Sequence, residues 1–332
     1  MGIAPRGDAE RVAGRAAISV LVPLLALWSL GRLEWSLYAS FGAFTSLYGR
    51  ERAGVRRTRL QVVVGIVLTA CVTLGSVVGL SDERRWLAVP VAALVAGTAT
   101  WESARRGWHP PGALFPVFAF AAVASVPSGA AEVGTAALCS ASAAALSILV
   151  GAAGLSIRRD RPTAPRHGPA AADRPRRTGI AHPSLTAASV LAAGLIATGA
   201  GIGRPYWAMV AAVVPFAARE WHAQLSRGLS RVVGTAAGLG AAAVLLALDL
   251  RGLGIIVAVT VLQALAELVV GRSYALALVA VTPLALLMVN LAAPLPTGTL
   301  LAERAVETLV GTAVGLIVAR CGTAVTAPAA PR

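Results

Sequence analysis

Long apolar runs separated by arginine-bearing segments constrain this chain more than any other feature of its sequence. Several runs reach the roughly 17–25 residues that a helix needs to cross a bilayer, and 57% of all residues are hydrophobic. A water-soluble domain cannot cover that much apolar surface. The runs show no strand-like alternation, and a backbone in lipid must satisfy its own hydrogen bonds. We therefore predict an all-α protein embedded in a membrane.

Twelve apolar segments can be distinguished, and they predict a polytopic transmembrane helical bundle of about 12 spans. The segments are 14–31, 33–49, 60–80, 86–101, 111–127, 132–155, 183–202, 204–218, 229–248, 252–270, 273–292 and 300–320. Segments 33–49 and 204–218 are short, and paired short segments are typical of transport sites. The alternative is that both simply cross with little tilt, with Trp and Arg anchored at the interface.

The arginines predict the orientation of the spans. If the N-terminus is cytoplasmic, 23 of the 29 basic residues, all of them Arg, fall on the cytoplasmic side, as the positive-inside rule requires. The exceptions are Arg32, Arg84, Arg85, Arg204, Arg251 and Arg304. Both termini are therefore predicted to be cytoplasmic.

A stretch rich in Pro and Arg divides the chain into two halves. The predicted parts are a first six-helix half at 1–155, a cytoplasmic linker at 156–183, a second six-helix half at 184–321 and a flexible tail at 322–332. The linker is a candidate for contact with anionic lipid headgroups.

The two halves share an ordered series of residues. The matched pairs are Trp35 with Trp207, Phe44 with Phe216, Gly65 with Gly234, Glu102 with Glu267 and Pro127 with Pro296, at offsets of 165 to 172. Such a series predicts an internal repeat. Because six spans is an even number, the two halves would have parallel orientation.

Several classes of function are disfavoured by the sequence. The net charge is +14, and the arginines that produce it lie between the apolar runs. They do not form the basic groove with interleaved aromatic residues that is typical of a nucleic-acid-binding protein. The three Cys and four His lack the spacing of metal ligands, so we expect neither metal nor cofactor. The chain has no lysine for a phosphate-binding loop and no nucleophile or zinc motif, so we expect no enzyme.

Glu267 is the first candidate for a functional residue. An ionisable group within an apolar run is costly in lipid, and it often serves transport. Gln263 lies one helical turn before it on the same face. Glu267 could carry a proton or, alternatively, lie near the cytoplasmic interface and be paired with or screened by Arg272.

Further candidates for the substrate pathway lie in both halves. Glu102 occupies the end of its segment as Glu267 does, and Arg231 lies near the predicted cytoplasmic end of its helix. Thr282 and Pro283 lie inside an apolar segment, where proline frees a carbonyl and bends a helix. Asn290 follows in the same segment.

Glycines spaced four apart predict close helix packing. Gly234 with Gly238 and Gly311 with Gly315 share a GTxxG core. Such pairs let two helices approach backbone to backbone.

The second half resembles the fusaric-acid-resistance-type membrane domain, which is related to the aromatic acid exporters. The residues that carry the resemblance are Arg204-Pro-Tyr-Trp207, the run Arg227–Gly238, Gln263 with Glu267, Arg272-Ser-Tyr274 and Thr282-Pro283. The first half is similar to the same domain more loosely, through Tyr38–Phe44.

The resemblance implies proton-coupled efflux of small aromatic or other organic acids across a bacterial cytoplasmic membrane. The expected partners are membrane lipids and an organic anion; a homo-oligomer is left open, and no nucleic acid is expected. The competing interpretation is a non-transporting scaffold or regulatory subunit, because small-residue helix faces suit that role equally well.

Overall fold

A computed structural model describes residues 6–50, 52, 54–156, 179–292 and 294–326. These residues form twelve α-helices, which we number in chain order, and no β-strand. In the first half the helices are α1 Arg6–Ser29, α2 Ser36–Ala43, α3 Gly54–Val78, α4 Arg84–Arg106, α5 Leu114–Ala124 and α6 Ala130–Ser156. In the second half they are α7 Ala181–Gly199, α8 Tyr206–Val213, α9 Trp221–Ala247, α10 Leu253–Val270, α11 Tyr274–Ala292 and α12 Thr297–Thr326.

The predicted linker and tail lie mostly outside the described residues. Residues 157–178 are not described, and α7 already begins at Ala181, inside the predicted linker. Helix α12 continues to Thr326, so the first five residues of the predicted tail are helical. Residues 327–332 lie outside the described part of the chain.

Nine of the helices in the described residues are long and apolar enough to cross a membrane. The chain is therefore a multi-pass membrane protein, although nine such helices are fewer than the twelve spans predicted. The difference lies in α2, α5 and α8, which have 8, 11 and 8 residues. Short 3-10 segments, Phe44–Leu47 and Val214–Ala217, extend α2 and α8.

The short helices lie inside the protein rather than against lipid. Every residue of α2 and of α8 is buried, and so are nine residues of α5. Because neighbouring helices surround them, their length need not match the thickness of the bilayer. The alternative in which Trp207 anchors segment 204–218 at the membrane interface does not fit the structure, since the Trp207 side chain is only 1% exposed.

The helix contacts follow the same pattern in both halves. In the first half the packed pairs are α3 with α6, α2 with α6, α3 with α5 and α4 with α5. The equivalent pairs of the second half are α9 with α12, α8 with α12, α9 with α11 and α10 with α11, and they pack in the same way. Contacts between the halves also come in matched pairs: α4 packs against α7 and α10 against α1, while α5 packs against α8 and α11 against α2.

Two ends of the bundle can be defined. The linker end is where α6 finishes and α7 begins; there Arg57 Nη2 donates to the carbonyl of Gly151 at 2.6 Å, and His182 Nε2 lies 3.1 Å from the carbonyl oxygen of Phe216. The opposite end holds the α1–α2 and α7–α8 connections. Both α2 and α8 run from the opposite end to the linker end.

Glycines set the closest helix contacts of the second half. A Cβ at Gly311 of α12 would overlap the carbonyl group of Ala208 in α8, and one at Gly315 would lie 2.7 Å from the carbonyl oxygen of Ala212. On α9, a Cβ at Gly238 would lie 2.7 Å from Cβ of Thr282, and one at Gly234 would overlap the carbonyl oxygen of Ala275. Side chains on α12 are thereby held close to α8.

Candidate functional site

Most of the buried charged side chains of the second half, together with the partly buried Glu303, gather between α8, α9 and α12. We call this set the charged cluster: Arg204, Arg231, Glu303, Arg304 and Glu307. Arg231, Arg304 and Glu307 are 3%, 1% and 0% exposed. Arg304 and Glu307 lie about 10 and 15 Å from the start of α12, from the helical rise. Charges at this depth are costly in a bilayer.

Arg304 lies against the face of Trp207. Its Cζ atom is 3.7 Å from the centre of the ring, the geometry of a desolvated cation–π contact. No described residue accepts a hydrogen bond from its Nε or Nη1 atom. The guanidinium therefore keeps donors that no described protein group uses.

Arg231 approaches the same place from α9. Its Nη1 donates to the hydroxyl of Tyr274 at 3.3 Å, and within the described residues Nε and Nη2 have no acceptor. Arg231, Glu307, Tyr206 and Tyr274 all interact electrostatically with Arg304. Two like charges held together in the interior repel each other, so an additional negative charge would stabilise them.

Two carboxylates partly balance these arginines. Glu307 Oε1 accepts the backbone N–H of Arg204 at 2.9 Å, and a carboxylate oxygen of Glu303 lies 3.8 Å from Arg204 Nε. The cluster holds three guanidinium groups and two carboxyl groups, so its basic groups outnumber its acidic ones. Chemically it is suited to a small anion, because guanidinium groups match carboxylates in geometry and charge.

A continuous series of aromatic rings connects the linker end with the charged cluster. We call it the aromatic column; consecutive rings are 4.8–6.0 Å apart between centroids. In order it consists of Tyr48, Phe115, Phe44, Phe41, Phe118, Trp207 and Tyr206. Its first five members belong to the first half and its last two to the second.

Glu267 lies at the linker end, on the surface where the halves meet. Its carboxylate forms an ion pair with Arg50, from the connection between α2 and α3. Glu267 is 8% exposed and Gln263, on the same face of α10, is 4% exposed. Arg272 is exposed. The sequence suggests Arg272 as a partner for Glu267, but in the structure the partner of Glu267 is Arg50 of the other half.

The remaining predicted residues are divided among several places. Glu102 is ion-paired with Arg105 and Arg106 on its own helix. Thr282 and Pro283 are buried where α11 packs against α9. Asn290 Oδ1 accepts the backbone N–H of Leu295 at 3.1 Å, which holds the turn after α11. Of the predicted site residues, only Arg231, Trp207 and Tyr274 belong to or contact the charged cluster.

Glu303, Arg304 and Glu307 are functional candidates that the sequence analysis missed. The positive-inside count treats Arg304 as one of six arginines on the non-cytoplasmic side of the membrane. Arginines in that count usually lie next to a span and not inside it. A simpler observation would have found them: all three lie inside one predicted apolar segment, 300–320, where charged residues most often serve function.

A cavity of about 320 Å³ lies at the corresponding end of the first half. It is lined by Arg32, Glu34, Trp35, Tyr38, Glu132 and Thr135, among others. The buried stripe of α6 (Ala136, Ser140, Ala143, Ser147) matches that of α12 (Arg304, Thr308, Gly311, Gly315) at an offset of 168. By this offset Ala136 and Cys139 correspond to Arg304 and Glu307.

Known proteins bear on the second half of the chain. Residues 191–318 match the model of the family described as fusaric acid resistance protein-like. No curated protein and no solved structure matches the chain. The match lies within the half that holds the charged cluster. Among the described residues, no group of three or more His, Cys, Asp or Glu side chains is placed to hold a metal ion.

Proposed function

We propose that the chain exports small aromatic or other organic acids as anions, on the premise that residues 191–318 match the fusaric acid resistance protein-like family. Its location would be a bacterial cytoplasmic membrane, with both termini inside the cell. The two halves would be parallel repeats of six crossings each, and the matched helix contacts support this arrangement.

The observation that carries the proposal is the charged cluster. Arg231 and Arg304 hold buried donors for which no described residue provides an acceptor. Unused donors on a buried charge are energetically costly. A carboxylate bound between the two guanidinium groups would use these donors and reduce the repulsion between the two guanidinium groups.

The aromatic column supports an aromatic substrate. Phe118 and Trp207, whose ring centroids are 4.9 Å apart, border the cluster from the side of the first half. A planar ring could pack against them while its carboxylate reaches Arg304, because aromatic faces stack favourably with one another and with guanidinium groups.

Export against a concentration gradient needs an energy source, and the family resemblance points to the proton gradient. Glu267 is the candidate for coupling. Protonation of its carboxylate would remove the ion pair with Arg50 and loosen the contact between the halves at the linker end. This would make Glu267 a gate that responds to protons.

The proposal can be tested with the full chain in proteoliposomes. Counterflow of radiolabelled benzoate should be faster than in empty liposomes. Arg304→Gln and Arg231→Gln should each lower the rate at least about tenfold, the equivalent of a lost charge-assisted hydrogen bond. Arg251→Gln is the matched control, since Arg251 is exposed and its ion pair among the described residues is with exposed Asp249.

Equal counterflow in wild type and empty liposomes, for benzoate and a panel of similar acids, would argue for the scaffold instead. The role of Glu267 has its own test. Glu267→Gln should lose the dependence of export on an imposed pH gradient, and undiminished proton-dependent export would exclude the coupling role.

A further inference from the structure

Glu303 is the most accessible member of the charged cluster. Its side chain is 18% exposed, whereas the other four members are buried. It lies about 9 Å from the start of α12, from the helical rise, and one residue closer to the opposite end than Arg304. The charged cluster is therefore most accessible from the opposite end, at Glu303.

The carboxylate of Glu303 is paired with Arg204. Its Oε2 atom lies 3.8 Å from Nε of Arg204, which is an ion-pair distance but too long for a hydrogen bond. No described residue donates a hydrogen bond to this buried oxygen. The carboxylate is thus held to Arg204 by charge without a fixed hydrogen bond, which suits a contact that forms and breaks repeatedly.

Gly203 provides the space for this carboxylate. It lies in the connection between α7 and α8, directly before Arg204, and a Cβ at Gly203 would overlap the carboxylate of Glu303. The backbone of Gly203 does not have a positive φ, so its conformation alone does not require glycine. The missing side chain is what allows Glu303 to lie beside Arg204.

The carboxylate of Glu303 is chemically the same group as the carboxylate of an organic acid. Both match a guanidinium group in charge and geometry, so the two cannot pair with Arg204 in the same way at the same time. We infer that Glu303 is a built-in competitor of the transported anion. Its carboxylate covers Arg204 at the opposite end of the cluster, and an anion that passes this point must displace it.

The competitor favours release over rebinding. When the anion leaves at the opposite end, Glu303 returns to Arg204 and takes the place that a second anion would need. This inference rests on the proposed function, because it assumes that the charged cluster binds the substrate.

Two variants on different elements test the competition. Glu303→Gln removes the charge, whereas Gly203→Ala keeps the charge but displaces the carboxylate from Arg204, because the new Cβ takes its space. The dissociation constant for benzoate is measured by titration calorimetry on the purified full chain in nanodiscs. Each variant should bind benzoate about fivefold more tightly than wild type, as expected for the loss of a competing ion pair.

The double variant and a matched control complete this experiment. Gly203→Ala combined with Glu303→Gln should bind no more tightly than Glu303→Gln alone, because both changes remove the same contact. Gly199→Ala is the control, since a Cβ at Gly199 meets nothing within 4 Å, and it should leave the dissociation constant unchanged. Glu303→Asp, which shortens the side chain by one methylene, replaces Gly203→Ala if that variant does not fold.

A transport measurement separates competition from damaged packing. In proteoliposomes, Glu303→Gln and Gly203→Ala should lower both the KM for benzoate counterflow and its maximal rate, because a more tightly held anion leaves more slowly. Weaker binding together with a lower rate would indicate damaged packing and would contradict the inference.

The results also separate the inference from the function beneath it. If wild type binds benzoate and Arg304→Gln weakens that binding, but neither Glu303→Gln nor Gly203→Ala tightens it, the inference is overturned and the anion site remains. Tighter binding by Glu303→Gln alone would mean that the charge acts through space without covering Arg204, which also overturns the inference. If wild type binds neither benzoate nor similar acids, the proposed function itself fails.

Discussion

The two halves of the protein have similar helix contacts but place different chemistry at the corresponding depth. In the second half, Trp207 lies under Arg304 within a closed cluster of charges. In the first half, the corresponding Trp35 lines a cavity, and small uncharged residues occupy the positions of Arg304 and Glu307. The scaffold is thus shared, while the charged cluster belongs to one half alone.

The difference indicates what each half contributes. Burying four of the five side chains of the cluster costs free energy that a purely structural helix contact would not need, and α6 of the first half has small uncharged residues at the corresponding positions. We interpret the first half as a support that supplies aromatic walls, and the second half as the one that binds. Substitutions at matched positions of the two halves test this division.

The largest effect is expected where helices touch through glycine. Gly311→Val should prevent stable folding, because its Cβ would overlap the carbonyl group of Ala208. Gly42→Val in the first half should do the same, since a Cβ there would overlap the carbonyl group of Ser140. The yield of monodisperse protein after purification measures the folding of both variants, and both yields should be far below that of wild type.

The control for this comparison is Gly240→Ala on α9. A Cβ at Gly240 meets nothing within 4 Å, so the variant should be neutral or more stable by up to about 1 kcal/mol. Normal folding of Gly311→Val would show that the tight contact between α8 and α12 is not required.

The two tryptophans should differ in importance. Trp207→Ala should lower stability by roughly 3–5 kcal/mol, as expected for a large buried aromatic side chain, and should also abolish benzoate binding. Trp35→Ala should cost roughly 1–2 kcal/mol, because Trp35 is only partly buried. Thermal unfolding in nanodiscs measures the difference; equal losses would contradict the division between the halves.

The two glutamates at the linker end should differ by a smaller amount. Arg50→Gln leaves the buried carboxylate of Glu267 without its partner and should cost roughly 3 kcal/mol. Arg106→Gln affects an exposed pair with Glu102 and should cost less than about 1 kcal/mol.

A double-mutant cycle with Glu267→Gln isolates the first of these pairs. Arg50→Gln combined with Glu267→Gln should be less destabilised than the sum of the single variants. Simple additivity would mean that the ion pair between the halves is energetically unimportant.

The sequence predicts the helical membrane fold because apolar length and composition are local properties. It also identifies the short segments 33–49 and 204–218, but it does not show that α2 and α8 are surrounded by protein. That depends on contacts between distant segments, such as those of Gly311 with Ala208. The family of the second half is predicted as well, because its motifs lie in a fixed order.

The charged cluster is harder to predict, since it is assembled from three elements. Arg231 is found as a candidate, but its neighbour Arg304 is counted only as an arginine outside the cytoplasmic side. A count of arginines treats each one as flanking a span, whereas Arg304 lies inside one, against Trp207. Glu267 shows the same limit: its partner Arg50 is 217 residues away in the sequence.

The surplus of arginines over carboxyl groups in the charged cluster suits an anion that crosses with its charge, and this has an electrical consequence. If an anion crosses as a single negative charge, its movement is driven by the membrane voltage. With the termini inside the cell as proposed, a voltage of 100 mV, negative inside, would favour outward movement by roughly 2.3 kcal/mol. That energy corresponds to a concentration ratio of roughly fifty, so a cell with an energised membrane would clear a monovalent acid even without a pH difference.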